Sequence, residues 1–362
     1  MNLVTFGNIE AGVTLATDKH GYEHVLVVAK VTFTIKDDGT CAPSDEQQPL
    51  VYADEFYSEP GFSAVKYETD FALFKPKTDV LLNGSAYAPG SKPATRVTVS
   101  LQVGKMVKSF NVVGNRYWKR GLMSVSPTPP EPFTVMPITY ENAFGGVDDT
   151  HKDPAKHRTY LLNHVGKGYY TNTDLALMDG KPLPNTEEIN NPITKPDGKY
   201  KPMAFGVVGR AWQPRASYAG TYDQQWLDEH YPFLPPDFDN RYFQAAPEDQ
   251  WCEHLRGGEA VRLVNLTPEG KMAFRLPVFE VPVKLIYRSH NEELRNILDT
   301  VIIEPDKRRC ILTWRGSTRL KEKPNFLYEI WVGAPSKARL RALETGKRYI
   351  KWADLHELSE EI

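Results

Sequence analysis

Short β-type runs closed by turn signals occupy both ends of this 362-residue chain, and that arrangement limits its fold more than any other feature. Val97, Val99, Leu101 and Val103 alternate with Thr98, Ser100 and Gln102, so one face is apolar and the other polar, as in a strand covering a core. Gly104-Lys105 then turns the chain into a second run through Val113, which predicts a hairpin. The run 25–35 is rich in β-branched residues and stops at Asp37-Asp38-Gly39. Residues 79–87, ended by Pro89-Gly90, form another predicted strand. In the last third, 260–266 turns at Pro268-Glu269-Gly270 and returns through 271–279. Residues 300–303, the turn Glu304-Pro305-Asp306-Lys307 and 310–314 read as a hairpin, and 326–332 as a strand. A helix is expected in the tail, with Ser336 at its start, Leu340 and Leu343 on one face and Gly346 at its end.

The middle differs. From Ser126 to Gln250 the chain is studded with Pro, Gly, Asn and Asp, and Pro127-Thr128-Pro129-Pro130-Glu131-Pro132 has the composition of an extended linker. The same stretch carries Tyr140, Phe144, Tyr160, Phe205, Trp212, Tyr222, Trp226 and Phe238, aromatics able to anchor long loops on a core. Short helices are expected over 222–230 and 248–255. The predicted fold is therefore mainly β: β-sandwich-like sheets from the N- and C-terminal thirds, a loop-rich and partly helical central insert, and a C-terminal helix. The regions are drawn at 1–125, 126–255, 256–335 and 336–362 within one integrated domain, with two separate domains as the alternative.

Composition narrows the function classes. Hydrophobic residues at 41% supply a sizeable core, and a net charge of −2 gives no global field to attract nucleic acid or an anionic membrane. Cys41, Cys252 and Cys310 are odd in number and far apart, which fits neither a disulfide framework nor metal-type spacing and points to a reducing compartment. The start Met1-Asn2-Leu3-Val4-Thr5-Phe6-Gly7 lacks the basic and apolar stretches of a signal peptide, so a cytoplasmic location is expected. The Lys307-Arg308-Arg309 run reads as a charged hairpin turn, with no aromatic interleaving to suit nucleic acid.

No nucleophile elbow, phosphate loop, His-Glu-x-x-His or dinucleotide fingerprint is present. His151, His157 and His164 cluster in sequence, but their spacing matches no ligand pattern and a solvated loop explains them better. Asp237-Phe238-Asp239, with Asp223 upstream and Asp249 downstream, could hold a divalent cation or supply an acid and a base. Capping is the simpler reading, with an Asp after Pro235-Pro236 binding backbone amides and pairing with Arg241. Trp212, Arg215, Tyr222 and Trp226 are residue types that dominate protein interfaces, yet the same aromatics could fill a core while Arg215 pairs with Asp223. Both readings stand at this level. The candidate partner-binding set is Trp212, Arg215, Tyr222, Asp223, Trp226, Asp237, Asp239 and Arg241, with no catalytic residue, metal or cofactor assigned.

Several phrases occur in a fixed order: Tyr140-Glu141-Asn142-Ala143-Phe144-Gly145-Gly146, Leu183-Pro184-Asn185-Thr186-Glu187, Trp212-Gln213-Pro214-Arg215, Ala219-Gly220-Thr221-Tyr222-Asp223-Gln224-Gln225-Trp226 and Leu234-Pro235-Pro236-Asp237-Phe238-Asp239. With Leu81-Leu82-Asn83-Gly84-Ser85-Ala86-Tyr87 and Leu312-Thr313-Trp314-Arg315 at the ends, the chain resembles the bacterial family called domain of unknown function twenty-one sixty-nine, associated with type VI secretion. Where that family is expected to have Asn-Pro-x-Gly-x-Gly, this chain has Asn163-His164-Val165-Gly166-Lys167-Gly168 and lacks the proline. The resemblance implies an adaptor or chaperone, itself no toxin. Such a protein binds a secreted toxic effector and helps load it onto the PAAR-repeat tip or the valine-glycine-repeat spike. It carries over no catalytic residues. Two other classes remain open: a metal- or carboxylate-dependent hydrolase using Asp223, Asp237 and Asp239, and a structural component of the secretion machine.

Overall fold

The computed structural model describes residues 1–171, 174–321 and 326–345. Its largest sheet has seven strands. In spatial order they are Trp251–Cys252, Thr78–Leu82, Ile297–Glu304, Arg309–Arg319, Glu23–Ile35 and Glu10–Thr17, with Cys41–Pro43 also paired to Glu23–Ile35. Thr78–Leu82 runs parallel to Ile297–Glu304, and the other pairings are antiparallel. A five-stranded sheet orders Thr186–Glu187, Met106–Val113, Arg96–Val103, Ala260–Val264 and Lys271–Arg275. A four-stranded sheet orders Asn2–Thr5, Leu327–Val332, Val283–Tyr287 and Asn291–Leu294. The fold is mainly β, as expected. The terminal thirds share every large sheet, and the middle third adds the short edge strands Thr186–Glu187 and Trp251–Cys252.

One apolar core joins the three sheets, with Val27, Val31, Val99, Phe110, Leu285 and Ile330 among its buried members. The central insert builds a second, smaller core around Trp118, Phe144, Met178, Leu183 and Tyr200. Phe144 meets the rings of Tyr160 and Tyr200 edge-on at 5.0 and 4.9 Å. Aromatics thus order a segment too rich in Pro and Gly to pair into long strands. No helix among the described residues is long and apolar enough to cross a membrane.

Glu23–Ile35 lacks polar alternation because both its faces are covered. Val25, Val27, Ala29, Val31 and Phe33 point into the shared core, while Leu26 and Val28 pack with Leu50 on the other side. That second face is largely charged yet buried. Lys30 pairs with Asp70, and Arg315 pairs with Asp299 and donates to the Asp70 carbonyl at 2.5 Å. Lys75 lies 2.6 Å from Asp79 and donates to Thr300 Oγ1 at 3.1 Å. All six of these charged side chains are buried, three of each sign, so their charges balance. Burial holds the Asp299 carboxyl above its usual range, against the pull of Arg315 and Lys75. Such pairs add little net stability over apolar packing, but they demand one arrangement of the covering chain.

The expected hairpins are present, Arg96–Val103 with Met106–Val113 and Ile297–Glu304 with Arg309–Arg319. Two expectations need correction. The predicted strand over 79–87 is two strands, Thr78–Leu82 and Gly84–Tyr87, and the second pairs with Val135–Ile138 in a small separate sheet. The helix expected over 248–255 is a single turn, Glu248–Gln250, followed by the strand Trp251–Cys252. The Gln250 side chain explains the change, because it donates to the Val80 and Phe205 carbonyls at 2.6 and 2.9 Å and draws the segment along the sheet. In the tail, Lys337–Glu344 is helical and Ser336 Oγ accepts from Arg339 N at 3.2 Å. The Leu343 side chain and the helix end expected at Gly346 lie outside the described residues.

Lys108 sits on the core-facing row of its strand and reaches the Ala204 carbonyl, Gln250 Oε1 and Asp249 at 2.8, 2.8 and 3.0 Å. Burial pushes its pKa down to about 8, with Asp249 opposing the shift. Between that value and the ordinary lysine range the unfolded chain binds a proton that the folded chain has released. Stability contributed at this site therefore rises with pH, by up to about 1.4 kcal/mol per pH unit. Lys108→Met is expected to remove that rise, measured as the difference in urea midpoint between the two proteins from neutral pH to about pH 10. An identical pH slope in both would contradict it.

Candidate partner-docking site

Residues 221–237 form a largely exposed arm, and Trp212, Arg215 and Phe238 at its root are buried. Trp212 belongs to the shared core and meets Tyr140 edge-on at 5.1 Å. Arg215, also buried, pairs with Glu68 and donates to the Val208 and Tyr242 carbonyls at 2.7 and 2.8 Å. Burial would raise the Glu68 pKa, but Arg215, Lys75 and Arg210 outweigh it and keep the carboxylate ionised below its usual range. Phe238 is buried against Tyr242 and Phe243 at the far side of the root. The base is closed by Asp237, which accepts from Thr221 N at 3.0 Å and Thr221 Oγ1 at 2.8 Å. Gly220 permits this closure: its φ is +83°, and a Cβ there would lie 2.8 Å from Asp237 Oδ1.

Beyond the base, Asp223 caps the helix Gln224–Glu229 by accepting from Trp226 N at 2.9 Å. Trp226 is the hub of the arm. Its Nε1 donates to the Phe233 carbonyl at 2.8 Å, and Tyr222 and Tyr231 meet its ring edge-on at 4.7 and 5.7 Å. Around this half-buried hub, Tyr222, Leu227, Tyr231 and Phe233 are 52, 51, 66 and 44% exposed. Phe233 rests against Gly21 in the turn after Glu10–Thr17, and Lys19 Nζ lies 3.5 Å from the Pro236 and Phe238 carbonyls. A groove of about 250 Å³ opens beside the root, walled by Tyr140, Leu162, Pro214, Tyr218 and Trp251. Its lining suits an apolar side chain.

The predicted residues thus divide. Trp212 and Arg215 were candidates for docking or for core, and they lie beneath the surface as the arm's foundation; Arg215 pairs with Glu68 and not with Asp223. Tyr222 and Trp226 lie on the arm itself. The carboxylates are spread over separate tasks: Asp223 caps a helix, Asp237 closes the base, and Asp239 accepts from Arg241 N and pairs with its guanidinium. Hydrogen bonds from Thr221 lower the Asp237 pKa, and those from Arg241 lower that of Asp239. Arg241 also lies over the Tyr218 ring at 4.2 Å. His151 and His157 meet through the His151 carbonyl, whereas His164 stands apart against Trp212. Among the described residues, no group of three or more His, Cys, Asp and Glu is placed to hold a metal. Leu227, Tyr231 and Phe233 were not singled out by sequence. Aromatics separated by the prolines 232, 235 and 236 were the available signal, since such a segment cannot bury them in regular structure.

No curated protein and no solved structure matches the chain. A family model does match, over residues 20–315, and that span holds the buried charged face, the arm and its root. The family is described as an uncharacterized protein conserved in bacteria, DUF2169, and the chain belongs to it.

Proposed function

We propose that the chain is a type VI secretion adaptor with no catalytic role of its own. It holds a toxic effector, or the PAAR-repeat protein that carries one, and helps load it onto the spike. The observation that supports this reading most is the arm, where four large apolar side chains stand exposed around Trp226 on a root clamped by Arg215, Glu68 and Asp237. Exposed apolar clusters of this kind mark interaction sites, and rigid aromatic anchors lose little entropy on binding. A groove able to take one apolar side chain opens beside the root, lined by Pro214, Arg215 and Tyr218. A few anchors on a moderate surface also suit a partner that must be held and later released.

The test is co-expression with a PAAR-repeat protein from the same bacterium. The expected result is a complex of fixed stoichiometry, with the partner recovered poorly when expressed alone. Equal recovery of the partner with and without the chain would contradict the adaptor role.

A further inference from the structure

We propose that the outer edge of Glu10–Thr17 receives an extended strand from the partner polypeptide, which continues the seven-stranded sheet. The proposal takes the adaptor reading as its ground and adds the chemistry of the partner segment. Glu10–Thr17 is eight residues long and pairs on one side with Glu23–Ile35, in unbroken register from Glu10 opposite Lys30 to Thr17 opposite Glu23. No described residue pairs with its other side. An edge of this kind presents a row of free N–H and C=O groups, whose complement is another strand.

The remaining edges of the three large sheets are blunted. Trp251–Cys252 and Thr186–Glu187 have two residues each, Cys41–Pro43 has three and ends in proline, Asn2–Thr5 has four, Asn291–Leu294 carries two glutamates, and Lys271–Arg275 has a cation at either end. Short length and charge are the usual protections against edge pairing. Glu10–Thr17 has neither: it contains no Lys, Arg or Pro, no bulge interrupts it, and its one charge lies at its first residue.

The flanking surfaces favour an apolar, alternating strand. On one side Leu15 is exposed beside the covered Ala11 and Val13. On the other, Leu50 and Phe71 crowd Gly12 so closely that a Cβ there would lie 2.7 and 2.8 Å from them. Phe71 carries exposed Tyr52 stacked on it at 5.0 Å, an aromatic wall for side chains of the incoming strand. The strand also leads into the turn at Gly21, which lies against the Phe233 ring of the arm.

The test pans a phage-displayed library of random peptides, each as long as the edge strand, against the full chain. The expected peptides alternate apolar and polar residues, slow amide exchange within 10–17 and lose binding when proline replaces a central residue. Their affinity is expected to fall at least tenfold on the Leu15→Lys, Thr17→Lys chain, whose fold is checked by its unchanged urea midpoint. Selected peptides that protect other segments would overturn the proposal. So would slow exchange of every 10–17 amide in the chain alone, or self-association abolished by the same two lysines, which would make the occupant a second copy. If the edge fails and the PAAR-repeat protein still binds through the arm, the adaptor reading stands without it.

Discussion

Replacing Asp79 by alanine is expected to lower the unfolding free energy by about 3–5 kcal/mol, more than any change on the arm. Asp79 is wholly buried and accepts from Lys75 Nζ and Gln244 Nε2, each at 2.6 Å, and from the backbone amides of Ala245 and Ala246 at 2.8 and 3.2 Å. Alanine would leave the Lys75 ammonium without its counter-charge and strand the other donors away from water. The two amides belong to the chain returning from the arm, so the loss reaches the root as well as the sheet. Asp79→Asn keeps one acceptor oxygen and should cost less. Urea unfolding at constant m-value measures both, and a loss below about 1 kcal/mol for the alanine would contradict the role given to the buried charged face.

The second large effect falls on binding. Tyr231→Ala and Tyr222→Ala remove half-exposed rings that pack edge-on against Trp226, so each should cost no more than about 1.5 kcal/mol of stability. Each is expected to weaken the complex with the PAAR-repeat protein by about 2 kcal/mol, roughly thirtyfold, as for anchors desolvated at the centre of an interface. Trp212→Ala is the contrasting case. Its ring is buried against Tyr140 in the shared core, and its removal should cost about 3–5 kcal/mol of stability before any binding is measured. Isothermal titration with refolding controls separates the two. Equal binding by Tyr231→Ala and the parent chain would remove the arm from the interface.

Sequence reasoning reached the hairpins because alternation in 97–103 and the turn signals after it are local facts, and local facts decide strand pairing across a tight turn. It did not reach the charged face. Lys75, Asp79, Asp299 and Arg315 are ordinary-looking residues whose partners lie as far as 245 positions away, as with Arg315 and the Asp70 carbonyl. Trp212 and Trp226 show the same limit in the site. Both are tryptophans in a Pro- and Gly-rich stretch, but one falls where the insert crosses the core and the other beyond a base closed by Thr221 and Asp237. Only tertiary placement separates an anchor for the fold from an anchor for a partner.

Docking through 222–233 is tested most directly by amide exchange along the whole chain, alone and mixed with a PAAR-repeat protein from the same bacterium. The expected result is exchange that slows on binding across Tyr222, Trp226, Tyr231 and Phe233, while the root at Arg215 and Phe238 stays slow in both states. Exchange across 222–233 that is unchanged by the partner, with slowing on some other face, would contradict it.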